Sequence, residues 1–168
     1  FEADHIIGNY PLVYSSANAL ILAEKSWDSW WFWNSDDSDE ATNIHMFDIS
    51  DSGTTDYIAS GRVDGTIQDQ FSLSEYQGVL RVASTEGQWG RWWLDNPEPM
   101  TSNVVTLQPI TDATGHTTLE QIGIIEGIAP NETIWSARFV EDRAYIVTFE
   151  NMDPLWTIDL SDPTNPTI

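Results

Sequence analysis

The chain has no cysteine, and Lys25 is its single lysine among only six basic residues. The first absence excludes disulfides, thiolate metal sites and a cysteine nucleophile. Against 27 acidic residues and a formal charge of −21, the scarcity of base leaves no stripe for phosphate contacts. Nucleic acid is therefore not expected as a partner, and an anionic membrane surface would repel the chain. Long apolar runs are missing too. Nothing approaches the roughly 18 consecutive apolar residues of a membrane-crossing helix, so no transmembrane segment is expected. There is no G-x-S-x-G elbow, no P-loop and no G-x-G-x-x-G. Phe1 is not preceded by a basic n-region and apolar h-region, so the sequence reads as an excised piece whose targeting signal is cut away.

What is present argues for a folded, all-β chain. Hydrophobic residues make up 40% of it and aromatics 12%, too much for a disordered segment. The acidic surplus reads either as solubility in a salty medium, where screening acts within about 8 Å, or as a cation-binding surface. Three stretches repeat one pattern, a β-rich run ending in a polar turn: 44–51 (IHMFDISD), 103–111 (NVVTLQPIT) and 155–162 (LWTIDLSD). Each follows another β-rich run, at 18–24, 78–84 and 143–149. Recurrence about every 50–60 residues is the mark of a repeat array.

Strands are predicted at 12–15, 19–24, 43–49 and 57–63, then at 69–73, 79–84, 104–107 and 119–125, and finally at 134–140, 144–149 and 155–159. Gly53, Gly65, Gly78, Gly115 and Gly127 fall where tight turns are needed. No window holds a 3.6-residue period over helical length, so little helix is expected. Each unit reads as four antiparallel strands, the third lacking its last, with both faces apolar as if each small sheet packed between two neighbours. A Greek-key sandwich is also all-β, but it has no reason to repeat one connection at a fixed place. The expected fold is a partial β-propeller arc of about three blades, the third incomplete: 1–65, 66–129 and 130–168.

At 134–166 the run IWSARFVEDRAYIVTFENMDPLWTIDLSDPTNP resembles the bacterial and archaeal secreted β-propeller domain family, distantly related to WD40 repeats. QFSLSEYQGVLRVAS (70–84) and IIEGIAPNETIWSARF (124–139) support the resemblance, and IHMFDIS and IASGRVDGT match more loosely. It implies a secreted or cell-envelope location and brings no catalytic residues to carry over. It also implies that the rest of the ring lies elsewhere in a longer protein, since closed propellers use about four to eight blades. An open arc leaves sheet edges bare, so the isolated piece is expected to self-associate or to cover an edge with residues 3–7.

Seven of the nine tryptophans sit in two clusters: Trp27, Trp30, Trp31 and Trp33, then Trp89, Trp92 and Trp93. Both occupy the connection between the second and third strands of successive units, and in WD40-like blades those connections share one face. Indoles can stack on sugars, attract a quaternary cation or anchor a protein partner. They can equally fold back as a satellite core with Arg91 stacked among them. Beside the first cluster, Asn34 to Glu40 reads NSDDSDE. Asp36, Asp37 and Asp39 are the ligands that Ca²⁺ would use there, although the spacing departs from an EF-hand loop and a solvated acidic loop is the plainer reading. His5, His45 and His116 are not spaced as a metal pair. Asp162 with Pro163 and Pro166 makes a stiff turn, and Asp48 and Asp159 hold equivalent positions. Asn131-Glu132-Thr133 matches a glycosylation sequon. The function expected is a non-catalytic binding or scaffolding module for a protein or carbohydrate ligand, with no cofactor. The alternative is a polysaccharide-acting hydrolase or lyase with its site on the same face.

Overall fold

A computed structural model of the chain describes residues 10–26, 40–87, 99–149 and 154–168. The first four strands are β1 (Leu12–Ser15), β2 (Ala19–Lys25), β3 (Ala41–Asp48) and β4 (Asp56–Asp64). They pair antiparallel in sequence order. After a short 3₁₀ turn (Gln70–Ser72) come β5 (Leu73–Tyr76), β6 (Val79–Glu86), β7 (Thr101–Thr111) and β8 (Thr117–Ile128), again in order. The last meander is β9 (Thr133–Val140), β10 (Arg143–Phe149) and β11 (Leu155–Asp159).

A single parallel pairing, Ser60 with Thr118, joins β4 to β8 and makes one eight-stranded sheet of the first two meanders. Gly61 permits that approach, because a Cβ there would lie 2.5 Å from the Leu119 carbonyl oxygen. The strands follow the expected alternation closely. The exception is 69–73, where Asp69 accepts hydrogen bonds from the backbone N–H groups of Phe71 and Ser72 and closes a turn instead. The strand therefore starts only at Leu73, an N-cap effect overriding the apolar pattern. Gln77 and Gly78, both at positive φ (54° and 80°), form the two-residue hairpin from β5 to β6.

Two cores lie on opposite faces of the middle meander. Leu80, Val82, Val105 and Leu107 face the first meander's Ala19, Ile21, Ile44, Met46 and Ala59. On the other face, Ala83, Val104 and Ile128 meet Ala137, Ala144, Ile146 and Ile158 of the last meander. Burial on both faces explains why β6 and β7 read as nearly continuous apolar runs rather than alternating ones. Burial of both faces of the middle meander is what its apolar faces predicted, but the separate four-stranded sheets expected for the first two units are joined here into one.

The chain end is docked as well. After β11 it turns through Asp162-Pro163 and returns to pair Thr167 with Asp159. The Thr106 hydroxyl donates to the Pro163 carbonyl at 2.6 Å, so this turn packs on the middle meander. Asp48 and Asp159 accept from the backbone N–H of Ser50 and Ser161 at 2.8 and 2.9 Å, so their equivalent positions each close a turn.

These turn carboxylates carry a pH dependence. Hydrogen bonds from Ser50, Thr114, Ser161 and Thr164 hold Asp48, Asp112, Asp159 and Asp162 below the ordinary aspartate value of 3.8. A depressed folded-state value contributes stability that is present above the unfolded value and lost as pH falls through the folded one. Asp162→Asn is expected to lower the urea midpoint at neutral pH and to converge with the unsubstituted chain as pH falls below the ordinary aspartate value and on through the depressed one. Parallel midpoint curves over that range would show that the Asp162 charge contributes nothing.

Candidate recognition face

Three connections leave the sheets at the same relative place, after the second strand of each meander: 27–39, 88–98 and 150–153. Trp27, Trp30, Trp31, Trp33, Trp89, Trp92, Trp93 and Arg91 lie outside the described residues, as do Asp36, Asp37, Asp39 and residues 3–7. The roots of the first two connections are described, and they meet. Ser26 N–H donates to the Ala41 carbonyl at 2.8 Å, closing the first root. Gly65 N–H donates to the Glu40 carbonyl at 2.6 Å, and the Thr42 hydroxyl donates to the Gly65 carbonyl at 2.9 Å. The next residue, Thr66, exchanges both backbone hydrogen bonds with Thr85, at 2.8 and 3.0 Å, just before the second root at Gly87. Asn131 N–H donates to the Met100 carbonyl at 2.7 Å, which brings the β8–β9 connection to the same side.

Gly65 is required at this junction. Its φ is +81°, and a Cβ would fall 2.5 Å from the Thr85 carbonyl oxygen. Two clefts flank the 65–69 connection. One of about 330 Å³ is lined by Tyr10, Lys25, Thr42, Thr66 and Gln68 among others. The other, of about 190 Å³, shares Thr66 and Gln68 and adds Glu40, Thr85, Glu86 and Thr133.

Two tryptophans are described. Trp156 packs against the second core and reaches the Thr148 hydroxyl with Nε1 at 3.4 Å. Trp135 is 67% exposed, 5.7 Å between ring centroids from Phe149. His45 stands mid-strand, as the sequence indicated. Its Nδ1 lies 2.6 Å from the Ser60 hydroxyl, which is 2.7 Å from the Tyr57 hydroxyl. Its Nε2 is 3.9 Å from Glu24 Oε1, beyond hydrogen-bond reach. This polar chain crosses β2, β3 and β4 on the outer face of the first meander. Among the described residues no group of three or more His, Asp or Glu could hold a metal ion.

One convergent constellation was not visible in the sequence. Arg81 of β6 is 4% exposed between the middle and last meanders. It donates to the Ser74 hydroxyl at 2.6 Å and to the Glu141 carbonyl. The rings of Tyr76 and Phe139 lie 5.1 and 5.2 Å from its guanidinium carbon. Burial pushes the guanidinium below its ordinary value, opposed by Tyr14, Glu75, Tyr76 and Asp142. Glu75 meanwhile accepts from the Ser16 hydroxyl at 2.7 Å and Gly78 N–H at 2.8 Å, tying β5 to the first hairpin. The signal was there in principle: an arginine inside the apolar run VLRVAS, on the same strand face as Ala83.

Repeated antiparallel meanders, with the middle one covered on both faces, define a protein of the propeller class. The family model described as a beta propeller domain matches residues 1–168, and the chain belongs to that family. It is 38% identical over 111 residues to an uncharacterised protein of Methanocaldococcus jannaschii, covering 66% of this chain and 16% of that protein. It is 37% identical over 106 residues to an uncharacterised protein of Archaeoglobus fulgidus, covering 63% and 14%. The chain therefore spans well under a fifth of the length of these relatives. No solved structure matches it. No helix among the described residues is long and apolar enough to cross a membrane.

Proposed function

We propose that the chain is a non-catalytic extracellular binding or scaffolding module. On this reading β1–β4, β5–β8 and β9–β11 are three blades, with boundaries 1–65, 66–129 and 130–168 and the third incomplete. The tryptophan-bearing connections form its recognition surface for a carbohydrate or protein ligand. The observation that carries the reading is the junction at Gly65 and Thr66, where the roots of both tryptophan segments are hydrogen-bonded to one short connection. Indoles raised from adjoining roots can cover one ligand between them by stacking. A Ca²⁺ held by Asp36, Asp37 and Asp39 would sit in the first of these segments. The outer face of β9–β11, with Trp135, Val140, Phe149 and Leu155 all more than half exposed, is where the rest of the ring packs, or where the isolated piece self-associates.

The test is a glycan-array screen run beside a general glycosidase and lyase assay. Binding without turnover is expected, weakened at least tenfold when Trp30, Trp31, Trp92 and Trp93 are replaced by alanine. Turnover on the bound glycan would move the protein to the enzyme reading. If all four indoles resist N-bromosuccinimide in the folded protein, they are core, and the recognition surface fails.

A further inference from the structure

The connection from β4 to the 3₁₀ turn runs as a ridge between the two clefts, so that Thr66 and Gln68 line both of them. The first cleft, about 330 Å³, falls within the size range of small-molecule sites, and the second, about 190 Å³, extends it. Their polar lining is mostly hydroxyl and amide. Gln68 is exposed and Thr66 half-buried, so both can meet a ligand as donor and acceptor. Thr42 is buried and its hydroxyl donates to the Gly65 carbonyl, so it forms the cleft floor and leaves Thr66 and Gln68 to meet the ligand. The Tyr10 ring, 95% exposed, stands at the rim as a stacking surface.

A pyranose ring presents the complementary chemistry: an apolar C–H face and a girdle of hydroxyls that both donate and accept. Charge decides which sugars. A chain at −21 repels a polyanionic glycan, and the one lysine in the lining is no cluster for uronates or sulfates. The floor is fixed before a ligand arrives, because Thr66 is bonded twice to Thr85 and Gly65 once to Glu40 through backbone groups. Little ordering cost then falls on binding.

We propose that these adjoining clefts are two subsites for consecutive units of a neutral oligosaccharide; this rests on the recognition-face reading and gives it a ligand class. The experiment uses the full-length protein and linear gluco-, manno- and galacto-configured tetrasaccharides, with a tetragalacturonate as the anionic comparator, read by isothermal titration and saturation-transfer NMR. At least one neutral tetrasaccharide is expected to bind and the uronate not to. Gln68→Ala and Thr66→Val, each with an unchanged unfolding midpoint, should weaken binding at least tenfold. Gln68 is exposed, so its variant is expected to fold even where that of Thr66 does not. Binding that survives both but is lost in Trp31→Ala and Trp92→Ala would overturn the clefts and keep the recognition face. Absence of neutral-sugar binding, or preference for the uronate, would also overturn the proposal. A protein ligand lost in the tryptophan variants would then leave the wider reading standing.

Discussion

Arg81→Ala is expected to cost the fold about 3 kcal/mol, because it empties a buried charged clamp between the middle and last meanders. Hydrogen bonds to a charged group are worth about 1.5–3 kcal/mol each, and truncation strands the buried Ser74 hydroxyl while releasing the carbonyl of the exposed Glu141. Contact with the Tyr76 and Phe139 rings is lost with them. A second effect runs the other way. Nε of Arg81 is buried without a hydrogen-bond partner among the described residues, and desolvation disfavours the charge. Arg81→Met keeps the stem's volume and removes that burden, so its expected loss is only about 1 kcal/mol. Urea unfolding with a common slope measures both. Equal losses in Ala and Met would mean that the hydrogen bonds alone hold the two sheets together. An Ala variant within about 0.5 kcal/mol of the parent would mean that the clamp holds nothing. Because Glu141 sits at the β9–β10 hairpin at φ 48°, hydrogen exchange in β9–β11 should accelerate first.

Arg81 also marks the limit of what the sequence disclosed. Apolar alternation located β1 and β11 to the residue, since 12–15 and 155–159 are bounded by turn-forming residues that nothing distant overrides. It placed β7 within a longer strand, because the polar 101–103 and the Pro109-interrupted, largely exposed 108–111 nevertheless pair with β6 and β8. The 3₁₀ turn at Gln70–Ser72 escaped because a side-chain cap at Asp69 leaves no periodic trace. The parallel contact of Ser60 with Thr118 escaped for a different reason. It joins residues 58 positions apart, and only the absence of a side chain at Gly61 hints at close approach. The matching places of the tryptophan segments in the repeat were legible in the sequence, whereas the hydrogen bonds of Gly65 and Thr66 that bring the roots of those segments together were not. The Arg81 clamp, likewise, needs Ser74 seven residues away and Glu141 sixty away, and its hydrogen bonds have no spacing that a single sequence shows.

Gly123→Val should destabilise by about 2–3 kcal/mol through overpacking rather than through any demand on its backbone. A Cβ at Gly123 would collide with the Pro163 carbonyl oxygen and lie 2.9 Å from Thr106 Oγ1 and 3.0 Å from Pro166 Cδ. None of these neighbours yields easily. Pro163 and Pro166 fix their own φ, and Asp162 holds the backbone N–H and hydroxyl of Thr164 at 3.0 and 2.6 Å. The valine therefore forces the turn off the sheet and breaks the Thr106–Pro163 hydrogen bond. Gly53→Ala is the control, since a Cβ there meets only Asp51 Oδ1 at 3.6 Å, and its effect should stay within about 0.5 kcal/mol. A Gly123 variant as stable as that control would mean the turn is free to move aside. A large loss confined to Gly123 gives the DLSDPTNP segment a second role beyond stiffness. Its fixed shape would then be the mould against which β8 must present a bare backbone, which couples the end of the last meander to the centre of the middle one.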